Sequence, residues 1–281
     1  MSMGKKESTS KSKKAGGNKV GKLATAASAN VDYGFDYDLV INGKELFKQP
    51  SPKEDCPICF LRLPNEDVKI FCQSCCGKML CAGCNDAHIF ATAPAEKSKC
   101  PFCRTEQPTS YAENIERYHK RMEANDDVEV IFILGLCYKR GDYGSPQDGS
   151  KALELYSKAA KLGHHGAHYY LAVCYANGDI VEKSMNKSTY HYQLAAIGGH
   201  VNARHNLGCL EYGAGNTDLA FKHLMIAAND GFELSMKAVR EGYKHGFVTQ
   251  DDLLNTTRAH VNSVDEMRSD DRDRSAGLRQ A

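Results

Sequence analysis

The sequence predicts a small domain built on paired cysteines, followed by an all-α solenoid of helical repeats and preceded by a disordered N-terminal arm. Three observations carry this. Nine of the 12 cysteines fall between Cys56 and Cys103. Two short markers recur in fixed order across residues 129–231. Residues 1–30 hold Lys, Ser, Gly and Ala with almost no large apolar group.

The arm comes first. Lys5, Lys6, Lys11, Lys13, Lys14, Lys19 and Lys22 repel one another, and nothing near them builds a core. The arm reads as a solvated tail, with a weak nuclear signal or an anionic-surface contact as the alternatives. Residues 31–54 carry Tyr33, Phe35, Tyr37 and Phe47 among acids and two prolines. They read as a linker with aromatic groups suited to local docking.

The cysteines run Cys56-x-x-Cys59, then Cys72, Cys75 and Cys76, then Cys81-x-x-Cys84, then Cys100-x-x-Cys103. A C-x-x-C turn brings two thiolates to one tetrahedral zinc. Four pairs imply two zinc ions. The N-terminus shows no apolar signal-peptide core, so the expected setting is the cytoplasm, or the nucleus, where such pairs read as metal sites and not disulfides. A zinc held by four thiolates has no open position, so the metal is structural and no catalytic residue is expected.

Cys56-Pro57-Ile58-Cys59 and Cys100-Pro101-Phe102-Cys103-Arg104 resemble the two ends of a RING domain. Cys76-Gly77-Lys78-Met79-Leu80-Cys81-Ala82-Gly83-Cys84 resembles the middle of cysteine-only RING variants. The resemblance covers residues 55–106 and implies a two-zinc cross-brace. Cys56, Cys59, Cys81 and Cys84 then hold one ion. Cys100 and Cys103 hold the other, with two of Cys72, Cys75 and Cys76. Cys75 with Cys76 fits the cysteine-only pattern, and Cys72 with Cys76 is the alternative. The family's usual third and fourth ligands are Cys-x-His or Cys-x-Cys, whereas here Cys75 and Cys76 are adjacent. Lys69, Lys78, Lys97, Lys99 and Arg104 are candidates to offset the thiolate charge, and His88 lies beyond the expected ligand position.

The same resemblance implies a ubiquitin ligase that orients a ubiquitin-loaded conjugating enzyme. The family's enzyme contacts map to Ile58 and Pro101. Arg104 matches the position that bridges enzyme and ubiquitin, a role suited to its fork of donors. A non-enzymatic scaffold is the alternative, since packing alone also accounts for Ile58 and Pro101.

After Cys103, Ser110 with Glu113 three residues on is a capping-box signature. Ile115, Tyr118 and Met122 share one helix face. A connecting helix over 110–127, running to about Asn125, is expected.

Ala159-Ala160-Lys161-Leu162-Gly163 recurs 36 residues later as Ala195-Ala196-Ile197-Gly198-Gly199, and after 32 more as Ala227-Ala228-Asn229-Asp230-Gly231. Leu134-Gly135-Leu136-Cys137-Tyr138 matches Leu171-Ala172-Val173-Cys174-Tyr175 and Leu207-Gly208-Cys209-Leu210-Glu211. Such a period marks a solenoid. Each unit reads as two antiparallel helices, the first ending near Gly141, Gly178 or Gly213, the second near Gly163, Gly198 or Gly231. Cys137, Cys174 and Cys209 read as buried small apolar residues. Residues 128–268, with a terminal pair as cap, resemble Sel-one-like repeats, relatives of tetratricopeptide repeats. Such arrays imply protein or peptide binding. Residues 269–281 read as a flexible tail. His164 and His200 recur with the repeat, so helix packing explains them better than a further metal site does.

A chain of 281 residues is long enough for more than one small domain. Its net charge of +1 gives no global field to recruit nucleic acid or membrane, so no specific nucleic-acid partner is expected. No stretch approaches the roughly 18 apolar residues of a membrane span.

Overall fold

The computed structural model describes residues 34–37, 41, 43–48, 50, 54–64, 70–91, 99–141 and 147–278. The basic arm, Lys69, Lys97 and residues 279–281 lie outside the described residues.

Strands β1 (Ile70–Cys72) and β2 (Met79–Cys81) pair antiparallel, with Phe71 opposite Leu80. Helix α2 (Ala82–Ala91) follows directly; α1 is a single turn, Gly43–Leu46. Among the described residues, the small domain's apolar cluster is Cys56, Leu63, Leu80, Cys81 and Cys84, with Cys100 also buried. A domain this small needs cross-links to hold its shape.

Helix α3 (Tyr111–Asn125) joins the two parts. Ser110 Oγ accepts from the Glu113 backbone N–H at 3.2 Å. The reciprocal bond departs from the expected capping box. Glu113 Oε2 accepts from the Thr109 N–H at 2.8 Å and from the Thr109 hydroxyl at 2.9 Å. The carboxylate therefore captures the residue before the cap.

Six helices then form three antiparallel pairs: α4 (Val128–Arg140) with α5 (Gly149–Lys161), α6 (His165–Asn177) with α7 (Met185–Ile197), and α8 (Val201–Gly213) with α9 (Thr217–Asn229). Helices α10 (Glu233–Lys244) and α11 (Gln250–Glu266) close the array. The core is stacked along it, from Leu134, Tyr156 and Leu171 through Ala196 and Leu207 to Met236 and Val239. The small marker residues let helices pass closely: a Cβ on Gly135 would lie 2.6 Å from the Tyr156 ring, and one on Gly208 2.8 Å from Leu224. His164 and His200 cap α6 and α8, their Nδ1 atoms accepting from the Ala167 and Ala203 N–H groups.

The helices of the array end at or beside the expected glycines, and two other expectations change. Gly141 and Gly178 end their helices at positive φ, and α8 ends on Gly213 with the left-handed turn at Gly215. Helix α7 ends at Ile197, and the left-handed residue after it is Gly199. Gly198 is needed for space instead, since a Cβ there would sit 1.8 Å from the His165 ring. Cys209 is exposed, unlike Cys137 and Cys174, with its Sγ 3.6 Å from His205 Nε2. Residues read as a flexible tail form α12 (Asp270–Leu278), which packs on α2. That helix has no apolar stripe of its own, and contacts with the small domain hold it.

The segment read as a linker also docks. Phe35 packs against the first core cluster, and Leu46 and Ile41 against the second.

Candidate metal centres

Two backbone turns in the small domain are duplicates. In the first, the Cys56 carbonyl accepts from the Phe60 N–H at 2.9 Å, and the Cys56 N–H donates to Leu61 O at 2.9 Å. In the second, Cys100 O accepts from the Arg104 N–H at 3.1 Å, and the Cys100 N–H donates to Thr105 O at 2.7 Å. Phe60 and Arg104 each take positive φ, 56° and 62°, straight after the second cysteine. Both turns are flanked by an isolated bridge, Asp55 with Arg62 and Lys99 with Glu106.

A third turn follows the same pattern one residue out of step with its cysteines. Gln73 O accepts from the Gly77 N–H at 2.7 Å, and the Gln73 N–H donates to Lys78 O at 3.0 Å. Gly77 has φ 71°. Gln73 therefore stands where Cys56 and Cys100 stand, and Cys76 where Cys59 and Cys103 stand. Cys75 precedes Cys76 in the turn, while Cys72 falls before it, on β1.

This register gathers the thiols into two groups, each with its ligand atoms within 4.8 Å of one another. One is Cys56, Cys59, Cys81 and Cys84; the other is Cys75, Cys76, Cys100 and Cys103. Cys72 belongs to neither. It lies against the first repeat core, its carbonyl accepting from the Tyr118 hydroxyl at 2.8 Å. Burial, with Asp127 and Glu129 nearby, pushes its thiol up to about 12.

Sulfurs bound to zinc at about 2.3 Å stand about 3.8 Å apart in a tetrahedron. Cys59 and Cys81 Sγ are 3.9 Å apart, Cys76 and Cys100 Sγ 3.8 Å, and Cys75 and Cys103 Sγ 3.3 Å. The two donor sets fit an ion of that size, and each is able to hold a metal ion. The groups interleave along the chain: the first and third cysteine pairs form one, the second and fourth the other.

Backbone donors support the sulfurs. The Cys81 N–H points at Cys56 Sγ and the Cys84 N–H at Cys81 Sγ, both at 3.5 Å. Burial raises the Cys56 thiol, but the N–H groups of Cys59, Cys81 and Ile58 outweigh it and hold it at about 7. The Thr105 hydroxyl and N–H hold Cys103 at about 6. Burial pushes Cys75 and Cys84 up.

Among the described residues, the cation within hydrogen-bond reach of a cluster sulfur is Arg272 of α12, 3.6 Å from Cys59 Sγ. Lys78, Lys99 and Arg104 were the described candidates in the sequence. Arg272 had no sequence signal, because its partner lies 213 residues away. Gly83 did carry one, being a glycine inside a cysteine pair. A Cβ there would lie 2.6 Å from the Arg272 backbone nitrogen. His88 lies outside both thiol groups, with its Nε2 3.0 Å from Lys99 O.

Ile58 is 38% exposed and Phe60 78%, both on the first turn. Arg104 is exposed on the duplicate turn, and Pro101 is half-buried.

Residues 128–164, 165–200 and 201–232 each match the family model of the Sel1 repeat. Chitin synthase regulatory factor 2 of Schizosaccharomyces pombe is 28% identical over 135 residues, covering 45% of this chain and 26% of that protein. Chitin synthase regulatory factor 3 of the same yeast is 40% identical over 72 residues, 26% of this chain and 8% of that protein. The chain thus spans a small part of the length of either relative. Among solved structures, a Sel1 repeat protein from Oxalobacter formigenes has a TM-score of 0.48 at 22% identity, covering 56% of this chain and 67% of that one. A protective antigen of uropathogenic Escherichia coli strains, displaying an SLR fold, has a TM-score of 0.46 at 23% identity, covering 55% of this chain and 33% of that one. The match to the Sel1 repeat thus runs without a break over residues 128–232, one repeat to each of the three helix pairs α4–α5, α6–α7 and α8–α9.

Proposed function

We propose that the small domain is a RING-type domain with two structural zinc ions, held by Cys56, Cys59, Cys81 and Cys84 and by Cys75, Cys76, Cys100 and Cys103. In this reading the domain grips a ubiquitin-conjugating enzyme, and the repeats recruit the protein to be modified. The observation that carries it is the interleaving of two four-thiol groups on duplicated turns that present Ile58 and Arg104. Zinc would supply cross-linking and nothing else, since four thiolates leave it no open position. Ile58, with the exposed Phe60, offers an apolar contact. Arg104 offers donors to a carbonyl at the enzyme–ubiquitin junction, an orienting role and not covalent chemistry. The proposed setting is a reducing compartment, cytoplasm or nucleus, where thiolates persist.

The test is autoubiquitination with a panel of conjugating enzymes. The full chain should form conjugates, and Ile58→Ala or Arg104→Ala should lower the rate at least about tenfold by loss of a bridging contact. Silence with every enzyme, or no change in either variant, overturns it.

A second reading has its own support. The family match covers the repeats, and the curated relatives are named as regulatory factors; both suit a protein–protein adaptor without ligase activity. Partner capture with no conjugation would select it.

A further inference from the structure

The middle two repeats carry a polar pair that the outer helices lack. His168 on α6 and Arg204 on α8 occupy the same helical position, as do His191 on α7 and His223 on α9. In the first repeat these positions are Ile131 and Leu155. On α10 the first of them is Met236. The paired groups touch: His168 Nδ1 lies 3.0 Å from His191 Nδ1, and Arg204 Nη1 3.5 Å from His223 Nδ1. All four are buried, with His191 at 0% and His223 at 1% exposure. A solenoid that only stacked its helices would fill such positions with apolar groups, as the first repeat does.

What covers them, among the described residues, is Phe35 and Tyr37 on one pair and Leu46 and Phe47 on the other. The Phe35 ring meets His191 edge-on at 4.9 Å, and the Tyr37 hydroxyl lies 3.3 Å from His191 Nε2 and 3.1 Å from the Tyr175 hydroxyl. One repeat further, Phe47 stacks on His223 at 4.8 Å, and Leu46 O accepts from Arg204 Nη1 at 2.6 Å. Each aromatic group also has a cation close to its ring. Lys161 is 5.9 Å from Phe35, Lys187 4.8 Å from Tyr37 and Arg204 5.9 Å from Phe47. Attraction between a cation and an electron-rich ring face is a recognition device. Here all three rings have one, from cations on three different helices.

We propose that this two-repeat face is a peptide-recognition site for segments carrying aromatic anchors, and that Phe35, Tyr37, Leu46 and Phe47 occupy it in cis as a built-in competitor. The partner's chemistry is read from the occupant: an aromatic–acid–aromatic cluster such as Phe35-Asp36-Tyr37, then a leucine–aromatic pair about ten residues on. This rests on the repeats being a recognition surface, and it names the class of partner. A tethered segment has an effective concentration of millimolar order, so partners in trans must displace it.

The probe is a fluorescent synthetic peptide of residues 33–48, followed by anisotropy. Intact full-length chain should bind it at least about tenfold more weakly than the Phe35→Ala/Tyr37→Ala/Phe47→Ala chain, whose groove is released. A second protein keeps every groove and strap residue native. It carries a protease-recognition sequence in place of residues 51–53, and should take up the probe after cleavage and not before. A control peptide with leucine at the three aromatic positions should bind about tenfold more weakly, the loss of roughly three cation contacts. No uptake by the cleaved chain means that the strap is part of the core, and overturns the recognition site itself. Equal uptake before and after cleavage overturns the competition in cis while leaving recognition intact. Neither outcome bears on the conjugating-enzyme reading, which the ubiquitination assay tests alone.

Discussion

Arg272 Nη2 lies 3.6 Å from Cys59 Sγ, and the same guanidinium donates to Leu61 O at 3.2 Å, Arg62 O at 2.8 Å and Met267 O at 2.6 Å. One side chain from the far end of the chain therefore ties the first cysteine turn to the helical array. Two neighbours reinforce the tie: the Ser275 hydroxyl donates to Asp86 at 2.6 Å, and Arg62 reaches Ser263 and Glu266. Four thiolates around one zinc carry a formal charge of −2, and a nearby cation offsets part of it.

Arg272→Ala should accordingly speed zinc release from the Cys59 group by about 10–100-fold, the usual scale for removing an outer partner of a metal ligand. Release is followed with a colorimetric chelator. Gly83→Val should act in the same direction by pushing α12 off α2. A release trace unchanged in both variants would separate α12 from the metal.

The turn register makes a sharp prediction about Cys72. Cys72→Ser should keep two zinc ions per chain, because that thiol faces the repeat core. Cys75→Ser or Cys76→Ser should lose one. Elemental analysis of the purified proteins decides it, and one zinc lost from Cys72→Ser would reinstate the alternative ligand set.

Acid should loosen the middle repeats. Burial holds His191 down at about 3 and His168 at about 4, below the ordinary 6.5; His165, His164 and Lys187 push in the same direction. Above pH 6.5 neither state binds these protons, and stability is complete. As pH falls from 6.5 toward 4, the unfolded chain takes up protons that the folded chain refuses. Stability then falls by up to about 1.4 kcal/mol per pH unit for each histidine. Urea melts of the wild type and His168→Gln at pH 7.5 and pH 5 read this directly, since thiol protonation is common to both. The wild type should lose more stability than the variant over that interval. Equal losses would mean that His168 titrates normally.

Two glycine substitutions should move stability in opposite directions. Gly198→Ala drives a Cβ to 1.8 Å from the His165 ring, an overpacking cost of about 1–3 kcal/mol. A Cβ on Gly213, at the end of α8, meets nothing within 4 Å. Gly213→Ala should stabilise by up to about 1 kcal/mol through helix propensity. Thermal melts of the two variants should fall on either side of the wild type.

Much of this was legible in the sequence because it is local. The cysteine pairs announce thiol groups able to hold a metal, since a C-x-x-C turn needs only its own backbone to bring two sulfurs together. The repeat markers fixed the helices of the array and their order, since each unit restates the same packing problem. The cap at Ser110 is likewise decided within four residues, whereas the recurrence of His164 and His200 pointed to helix packing and not to their capping role.

Only the tertiary structure decided the rest. Which of Cys72, Cys75 and Cys76 joins a group depends on where Gln73 falls in a turn set by β1 and β2. The strap depends on Phe35, Tyr37 and Phe47 meeting side chains more than a hundred residues away. The last helix depends on Arg272 finding carbonyls and a sulfur at the other end of the chain. Pattern and propensity act over a few residues, whereas these contacts exist only after the solenoid has brought distant segments together.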